Sequence, residues 1–136
     1  MHRTLIIKSD GGARGNPGPA AIGVVVEEDH KVIHTISRFI GHASNNVAEY
    51  SAVIAGLEYA KSIQAERVSC YLDSKLVVEQ LNQRYKVKHP DMGKLFLIAW
   101  NLIQNFDKVH FHYIPREQNT HADRLVNQAL DKELIK

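Results

Sequence analysis

The pattern of apolar and polar positions changes once along the chain, near Ser44. Before this residue, apolar runs with the alternation of β-strands occupy residues 4–10, 20–28 and 31–40. After it, a run rich in Ala, Leu and Glu predicts a helix over residues 45–63, with Ser44 or Asn45 as its N-cap. The first half therefore predicts an antiparallel meander followed by a long helix. Because that helix is apolar almost all round, we expect it to be covered on more than one side.

The second half alternates between helix and strand patterns. It predicts, in order, a strand at 67–73, a helix at 74–83, a basic linker at 84–90, a helix at 91–106, a strand at 108–115 and a closing helix from about Asn119 to Leu134. The chain contains no internal repeat and no composition shift typical of a domain linker. We therefore predict an α/β protein with one mixed sheet flanked by helices, in a single domain that spans residues 1–136.

Composition narrows the class of protein. The chain has 136 residues, of which 44% are hydrophobic and 24% charged, as is ordinary for a soluble domain. No apolar run approaches the roughly 18 residues of a membrane span, and the N-terminal run is too short for a secretory signal, so we expect a cytoplasmic protein without a membrane partner. The single cysteine, Cys70, excludes an internal disulfide and is expected to be buried. The net charge of +2 permits a nucleic-acid partner without requiring one.

Acidic residues stand at four junctions of the predicted elements. Asp10 and Asp73 end the first and fourth strands, Glu49 lies in the first turns of the long helix, and Asp123 opens the last helix. Three of them have structural alternatives, namely a turn residue at position 10, a helix cap at position 73 and a favourable charge at a helix N-terminus at position 123. Glu49 is harder to explain in this way, because it shares a helical stripe with apolar residues and a buried unpaired carboxylate is costly.

These acids converge if the first and fourth strands are neighbours, because both strands then end at one edge of the sheet. Four clustered carboxylates repel one another unless a cation holds them, and oxygen ligands select Mg²⁺ or Mn²⁺ rather than zinc. None of the eight histidines lies in a zinc motif. His110 and His112 alternate along a strand and are expected to be exposed strand residues.

The glycine-rich stretch at residues 11–18 matches neither phosphate-binding motif, GxxxxGK[ST] or GxGxxG, which disfavours nucleoside triphosphates and NAD. Without a Cβ, Gly11 and Gly12 are predicted to let a polynucleotide backbone approach the main chain beside Asp10. Amide side chains near them, at Asn16, Asn45 and Asn46, can both donate and accept hydrogen bonds. An N-cap role for Asn45 and an ordinary hairpin turn at residues 15–19 stay open at this point.

Four segments carry a resemblance to a known family. They are SDGGARGNPGPAAIGVV, NNVAEYSAVIAGLEYA, YLDSKLVVEQL and PREQNTHADRLVNQAL. In order and spacing, this set resembles the signature blocks of type 1 ribonuclease H, over nearly the whole chain from Thr4 to Leu130. The resemblance implies a ribonuclease H-like fold, with five strands in a mixed sheet, three antiparallel and then two parallel.

The resemblance also implies an activity, which is endonucleolytic cleavage of the RNA strand of an RNA–DNA hybrid to 5′-phosphate and 3′-hydroxyl ends. It implies that the four acids form a metal-binding quartet, for which we predict two Mg²⁺ ions, replaceable by Mn²⁺ and about 3.5–4 Å apart, with Asp10 bridging them because it ends a central strand. Glu49 and Asp73 complete one metal position and Asp123 the other. The predicted substrate-binding residues are Gly11, Gly12, Asn16, Asn45, Asn46 and Ser74, with the three asparagines in the minor groove near the RNA 2′-hydroxyls.

The sequence departs from the family pattern in two places. A long basic protrusion that many members carry after the third acid is reduced here to residues 82–94, which indicates a short branch of the family. Within that stretch, the basic side chains at 84, 86 and 88 either replace the protrusion in part or belong to a solvated loop. The position of a mobile histidine is Tyr113, and the nearest candidates for its role in proton handling or product release are His121 and Arg116. His121 can equally be an exposed helix-start residue.

Two other functions use the same scaffold. One is a module that binds hybrids or structured RNA without cutting, although an intact acidic cluster argues against it. The other is an integrase-type enzyme acting on DNA, which the asparagines near the predicted 2′-hydroxyl contacts disfavour. For the ribonuclease we expect a monomer with no obligatory protein partner.

Overall fold

The computed structural model describes residues 3–135 and contains the elements in the predicted order. The strands are β1 Thr4–Ala13, β2 Gly18–Glu28, β3 Lys31–Ala43, β4 Arg67–Leu72 and β5 Lys108–Tyr113. The helices are α1 Asn45–Ser62, α2 Lys75–Leu81, α3 Pro90–Ile103 and α4 Thr120–Leu134, with a single 3-10 turn at Arg116–Gln118. None of the helices within residues 3–135 has both the length and the apolar character that a membrane crossing requires.

The five strands form one mixed sheet in the order β3-β2-β1-β4-β5. The pairs β1–β2 and β2–β3 are antiparallel, whereas β1–β4 and β4–β5 are parallel. The fold class predicted from the sequence is therefore confirmed. The parallel register pairs Ser9 with Leu72, so Asp10 and Asp73, each one residue further along, emerge at the same edge of the sheet.

Apolar side chains cover both faces of this sheet. On one face, α1 packs against β1 and β2 around Leu5, Ile7 and Val24, and α3 covers the far side of α1. On the other face, α4 packs on β2 and β3 through residues such as Leu125 and Val126. The expectation that α1 is covered on more than one side is therefore confirmed, as is the buried position of Cys70.

The structure corrects the predicted end of β1, identifies the N-cap of α1 and shows where two histidines of β5 lie. β1 does not end at Asp10 but continues to Ala13, because Gly11 and Gly12 stay paired with Ile22 and Ala21 of β2. The predicted strand end and the alternative turn at Asp10 were therefore wrong. At the start of α1, the N-cap is Ser44, whose Oγ accepts a hydrogen bond from the Val47 amide at 3.2 Å. His110 and His112 are exposed on β5, as expected.

Two glycines allow the helices to approach the sheet closely. A Cβ on Gly11 would overlap the Ala48 carbonyl of α1, and a Cβ on Gly23 would overlap the Ala122 carbonyl of α4. Gly11 thus lacks a side chain because a helix occupies that space, and its contact with a polynucleotide stays a prediction. At Gly12 an added Cβ would meet only the Val126 side chain, at 3.7 Å. The glycines at 11 and 23 bring the carboxylate-bearing ends of α1 and α4 onto the sheet edge.

We predict that Gly23→Ala lowers the free energy of unfolding by about 1–3 kcal/mol, because the new methyl group meets helix backbone that cannot rotate away. Urea denaturation measures the change. Gly93→Ala in α3 is the matched control, since an added Cβ there meets nothing within 4 Å and should stabilise the helix by up to about 1 kcal/mol. Equal stability of Gly23→Ala and wild type would contradict the packing described.

Candidate active site

An open cleft lies at the edge of the sheet where β1 and β4 emerge. Its volume is about 470 Å³. All four carboxylates predicted from the sequence line it, and the other lining residues are Gly11, Gly12, Ala13, Arg14, Asn45, Arg116, Val126, Asn127 and Leu130. The structure thus brings together acids that are far apart along the chain.

Each carboxylate reaches the cleft on a different element. Asp10 projects from β1 beside Gly23 of β2, and Asp73 follows the last residue of β4. Glu49 lies near the start of α1, and Asp123 lies in the first turn of α4. Two acids are therefore fixed by the sheet and two by the helices that pack on its opposite faces.

The carboxylates are close enough to shift one another's protonation. Burial raises the pKa of Asp10 to about 8, with added repulsion from Asp73, Glu49 and Asp123 and a hydrogen bond with Asp123. Burial, together with repulsion from Asp73, raises the pKa of Glu49 to about 7, although a hydrogen bond with Ser74 acts in the opposite direction. The pKa of Asp73 is also raised, mainly by burial, against the lowering effect of Asn119 and Arg116. The cleft therefore favours protonation of these carboxylates, or the binding of a cation that neutralises their charge.

The donor set fits a hard divalent cation. Carboxylate oxygens are the ligands that Mg²⁺ and Mn²⁺ prefer, and the mutual repulsion of these four acids is what such a cation relieves. Within residues 3–135, no three His, Cys, Asp or Glu side chains are already arranged as a preformed metal site. The fit to such a cation therefore rests on the shared cleft and the electrostatic coupling of the acids, rather than on a finished coordination geometry.

Asn119 holds Asp73 and β1 in place. The sequence predicted this residue only as the start of the last helix, and not as part of the site. The residue is 1% exposed, and its Nδ2 donates to the Ser9 carbonyl at 2.8 Å and to Asp73 Oδ2 at 3.1 Å. A single amide thus connects the segment before α4 to β1 and to the acid that follows β4. Its only sequence signal is a polar residue ahead of a helix, which is also the signal of an ordinary cap.

Ser74 has two partners inside the protein. Its Oγ caps α2 by accepting from the Val77 amide at 3.3 Å, and its hydroxyl also hydrogen-bonds Glu49. The cap was one of the alternatives raised for the Asp73–Ser74 pair, and Ser74 rather than Asp73 forms it. Ser74 lies outside the described lining of the cleft, so its direct contact with a substrate stays a prediction.

The predicted amide cluster forms a small network beside the cleft. Asn45 Oδ1 accepts from the Ala13 amide at 2.8 Å, and Asn16 Oδ1 accepts from the Asn45 amide at 3.0 Å. These bonds fix the β1–β2 turn against the start of α1. Because they use the side-chain oxygens of both asparagines, the side-chain NH₂ groups are left to donate hydrogen bonds to a ligand. Of the predicted asparagines, Asn45 lines the cleft, whereas Asn16 and Asn46 lie outside its described lining.

The two candidates for proton handling occupy different places. Arg116 lines the cleft, and its Nη2 lies 3.6 Å from Asp123 Oδ1. His121 is exposed in the first turn of α4 and lies outside the described lining of the cleft. The structure therefore places Arg116 next to Asp123, and it leaves the role of His121 a prediction.

The short basic linker between α2 and α3 has no helix or strand at residues 82–89. Its Arg84 donates from Nε and Nη2 to the Glu79 carboxylate, each at 2.6 Å, so this cation is already paired. Buried Gln80 accepts from the Tyr50 hydroxyl at 2.6 Å and donates to the Lys86 carbonyl at 3.3 Å. The linker is thus anchored to α1, and Lys86 and Lys88 remain exposed.

Most of the chain is similar in sequence to known proteins. Residues 8–129 match the reverse transcriptase-like family. The chain is 49% identical over 129 residues to the bifunctional protein Rv2228c of Mycobacterium tuberculosis, covering 93% of this chain but 35% of that protein, so it spans about a third of this relative's length. It is 41% identical over 123 residues to ribonuclease HI of Halobacterium salinarum, covering 90% of this chain and 62% of that protein.

Solved structures show the same likeness in three dimensions. The crystal structure of the Halobacterium salinarum RNase H1 superposes with a TM-score of 0.92 at 38% identity, covering 95% of this chain and 98% of that one. LC11-RNase H1, solved in complex with an RNA/DNA hybrid, gives a TM-score of 0.91 at 42% identity, covering 96% and 99% of the two chains.

The five-stranded mixed sheet, with an acidic cleft at its edge, defines a ribonuclease H-like protein. Within that class the chain belongs to the type 1 ribonuclease H family, as its matches to ribonuclease HI and to the RNase H1 structures show.

The raised pKa of Asp10 predicts how metal-free stability depends on pH. Between its ordinary value of 3.8 and about 8, the folded protein holds a proton that the unfolded chain releases, so the free energy of unfolding falls as pH rises through this window. Asp10→Asn removes the effect and should be more stable than wild type by about 1–3 kcal/mol at the upper end of the window, with the gap closing toward the lower end.

Urea unfolding in the presence of a chelator, repeated over a series of pH values, measures this gap. Glu58→Gln, which changes an exposed acid of α1, is the control and should show no growing difference from wild type. Parallel stability curves for Asp10→Asn and wild type would contradict the electrostatic description of the cleft.

We further predict that Asn119→Ala lowers the free energy of unfolding by about 1–3 kcal/mol, because it leaves the buried Ser9 carbonyl without its donor. The loss of the Asp73 contact should also raise the pKa of that carboxyl further, which NMR titration of the side chain detects. Gln128→Ala changes an exposed amide on the same helix and should leave both quantities close to wild type. An unchanged Asp73 titration in Asn119→Ala would contradict the positioning role.

Proposed function

We propose that this protein is an endoribonuclease that hydrolyses the RNA strand of RNA–DNA hybrids with divalent cations, giving 5′-phosphate and 3′-hydroxyl ends. The observation that carries the proposal is the meeting of Asp10, Glu49, Asp73 and Asp123 in one open cleft. The cleft is open, as a polymeric substrate requires. The structure of a relative of this chain, LC11-RNase H1, has been solved in complex with an RNA/DNA hybrid, which supports the same substrate class for this chain.

The four carboxylates would hold two Mg²⁺ ions, with Asp10 shared between them, Glu49 and Asp73 at one position and Asp123 at the other. When bound, such ions activate a water for attack on the scissile phosphate and stabilise the leaving oxygen. The protein's own part is to hold the acids in place, through Asn119 on Asp73 and Ser74 on Glu49. Mn²⁺ has the same ligand preference and is expected to substitute.

The amide network at the N-terminus of α1 would recognise the hybrid. Asn45 lines the cleft, and Asn16 is bound to its backbone at 3.0 Å, so the two amides are held as one unit. Their NH₂ groups suit acceptors in the minor groove, where the 2′-hydroxyl distinguishes RNA from DNA. Gly11, Gly12, Asn46 and Ser74 complete the proposed substrate-binding residues. Arg116, beside Asp123, is proposed to assist proton handling or product release, and His121 is the weaker candidate.

The remaining parts of the proposal concern the whole protein. We infer that residues 1–136 act as one ribonuclease H-like domain, as a monomer in the cytoplasm and without an obligatory protein partner. The short linker at residues 82–89 supports a branch of the family without the basic protrusion.

The test of the proposed function is cleavage of a labelled RNA–DNA hybrid during a Mg²⁺ and Mn²⁺ titration. Wild type should cut the RNA strand only when a divalent cation is present, and Asp10→Asn should lose about 1,000-fold or more in rate, which corresponds to a few kcal/mol of transition-state stabilisation. Glu58→Gln should cut at the wild-type rate, because its side chain lies on the exposed side of α1.

Two further measurements, cleavage of duplex DNA and binding of the hybrid, separate the alternatives. Duplex DNA that is cut in preference to the hybrid would support an integrase-type activity, and tight hybrid binding without any cleavage would support a binding module. Asp10→Asn that cuts the hybrid as fast as wild type would remove Asp10 from the site and contradict the proposal.

A further inference from the structure

A cationic side chain that the metal chemistry does not use lies on the rim of the cleft. Arg14 follows the last residue of β1 and is among the residues that line the cleft. Its Nη2 donates to Asp131 Oδ1 at 2.6 Å and to Asn127 Oδ1 at 3.3 Å, both on α4. The side chain is 40% exposed, so the guanidinium is oriented by the protein but remains accessible.

The partners of Arg14 lead directly to the acidic cluster. Asp123, Asn127 and Asp131 are spaced four residues apart and therefore share one stripe of α4. Asn127 donates from Nδ2 to the Asp123 carbonyl at 3.1 Å and to Asp123 Oδ2 at 3.4 Å. A continuous chain of contacts thus runs from Asp131 through Arg14 and Asn127 to a predicted metal ligand.

Stability alone gives little reason for this arrangement. An ion pair as exposed as the one between Arg14 and Asp131 contributes little to folding, because water screens it. An arginine has five N–H donors, and both contacts of Arg14 on α4 use Nη2, which leaves Nε and Nη1 for a further acceptor. Two N–H groups in this fork match the oxygens of a phosphate.

We propose that Arg14 binds a backbone phosphate of the nucleic-acid strand that crosses the cleft, with Asn127 holding the guanidinium at the rim. This inference rests on the proposed function, since it requires a polynucleotide in the cleft. The phosphate lies on the α4 side of the four acids, beyond Asp123. Contacts of this kind position a nucleic acid without reading its sequence, so Arg14 acts on affinity and register rather than on base preference.

A competing explanation is that Arg14 is a strut that ties the β1–β2 turn to α4. The two explanations differ in the effect of Asp131→Asn. This change removes the ion pair and leaves the guanidinium in the cleft, so a strut would be weakened by it, as it would be by Arg14→Ala. A phosphate-binding arginine would instead keep its affinity, because its positive charge is no longer balanced by Asp131.

The experiment measures binding of a fluorescent RNA–DNA hybrid by anisotropy over a range of KCl concentrations, in a Glu49→Gln background that limits cleavage. Arg14→Ala should weaken binding about tenfold at low salt and reduce the slope of log Kd against log salt by about one, as the loss of one phosphate contact requires. Asp131→Asn should bind at least as tightly as the parent, with the parent's slope. Arg14→Lys should keep the slope and recover part of the affinity.

An Arg14→Ala variant with unchanged affinity and slope would overturn the inference while leaving the proposed function in place. Weaker binding in both Arg14→Ala and Asp131→Asn, with the parent's slope in both, would overturn it in favour of the strut. If the parent protein fails to bind the hybrid at any salt concentration, the inference and the proposed function fail together.

Discussion

Two helices carry carboxylates to the edge of this sheet only because the strands beneath them lack side chains where the helices cross. Gly11 of β1 lies under the Ala48 carbonyl of α1, and Gly23 of β2 lies under the Ala122 carbonyl of α4. Each of these carbonyls belongs to the residue just before a cleft carboxylate. A methyl group at either glycine would move a helix away from the sheet, and with it one of the four acids.

The resulting cluster is electrostatically unfavourable by itself. Asp10 and Glu49 are largely removed from water and repelled by Asp73, so their pKa values rise to about 8 and about 7. Protein groups offset only part of this, through Asn119 on Asp73 and Ser74 on Glu49. The fold therefore holds charges that a divalent cation would neutralise, as is common at sites where pKa values are strongly perturbed.

The sequence predicted the elements and the acids well, for a local reason. Strand alternation, helix periodicity and acidic residues at element junctions are all visible within short segments, and four such segments together identify a family. The function of Gly23, the two contacts of Asn119 and the orientation of Arg14 were not predictable. Each depends on the register between strands and on which helix crosses which residue, so it involves residues that are distant in sequence. The same limitation applies to the packing of Gly11, since the helix that occupies the space beside it is reached at Ala48, 37 positions later in the chain.

The central proposal is that these four acids together bind divalent cations and that this binding displaces protons. Calorimetric titration of the protein with Mg²⁺ near neutral pH, in buffers of different ionisation enthalpy, counts the protons released on binding. We expect saturable binding with proton release, because Asp10 and Glu49 are partly protonated in this range, and we expect the release to diminish in Asp10→Asn. Binding without proton release, or binding unchanged by Asp10→Asn, would contradict the account.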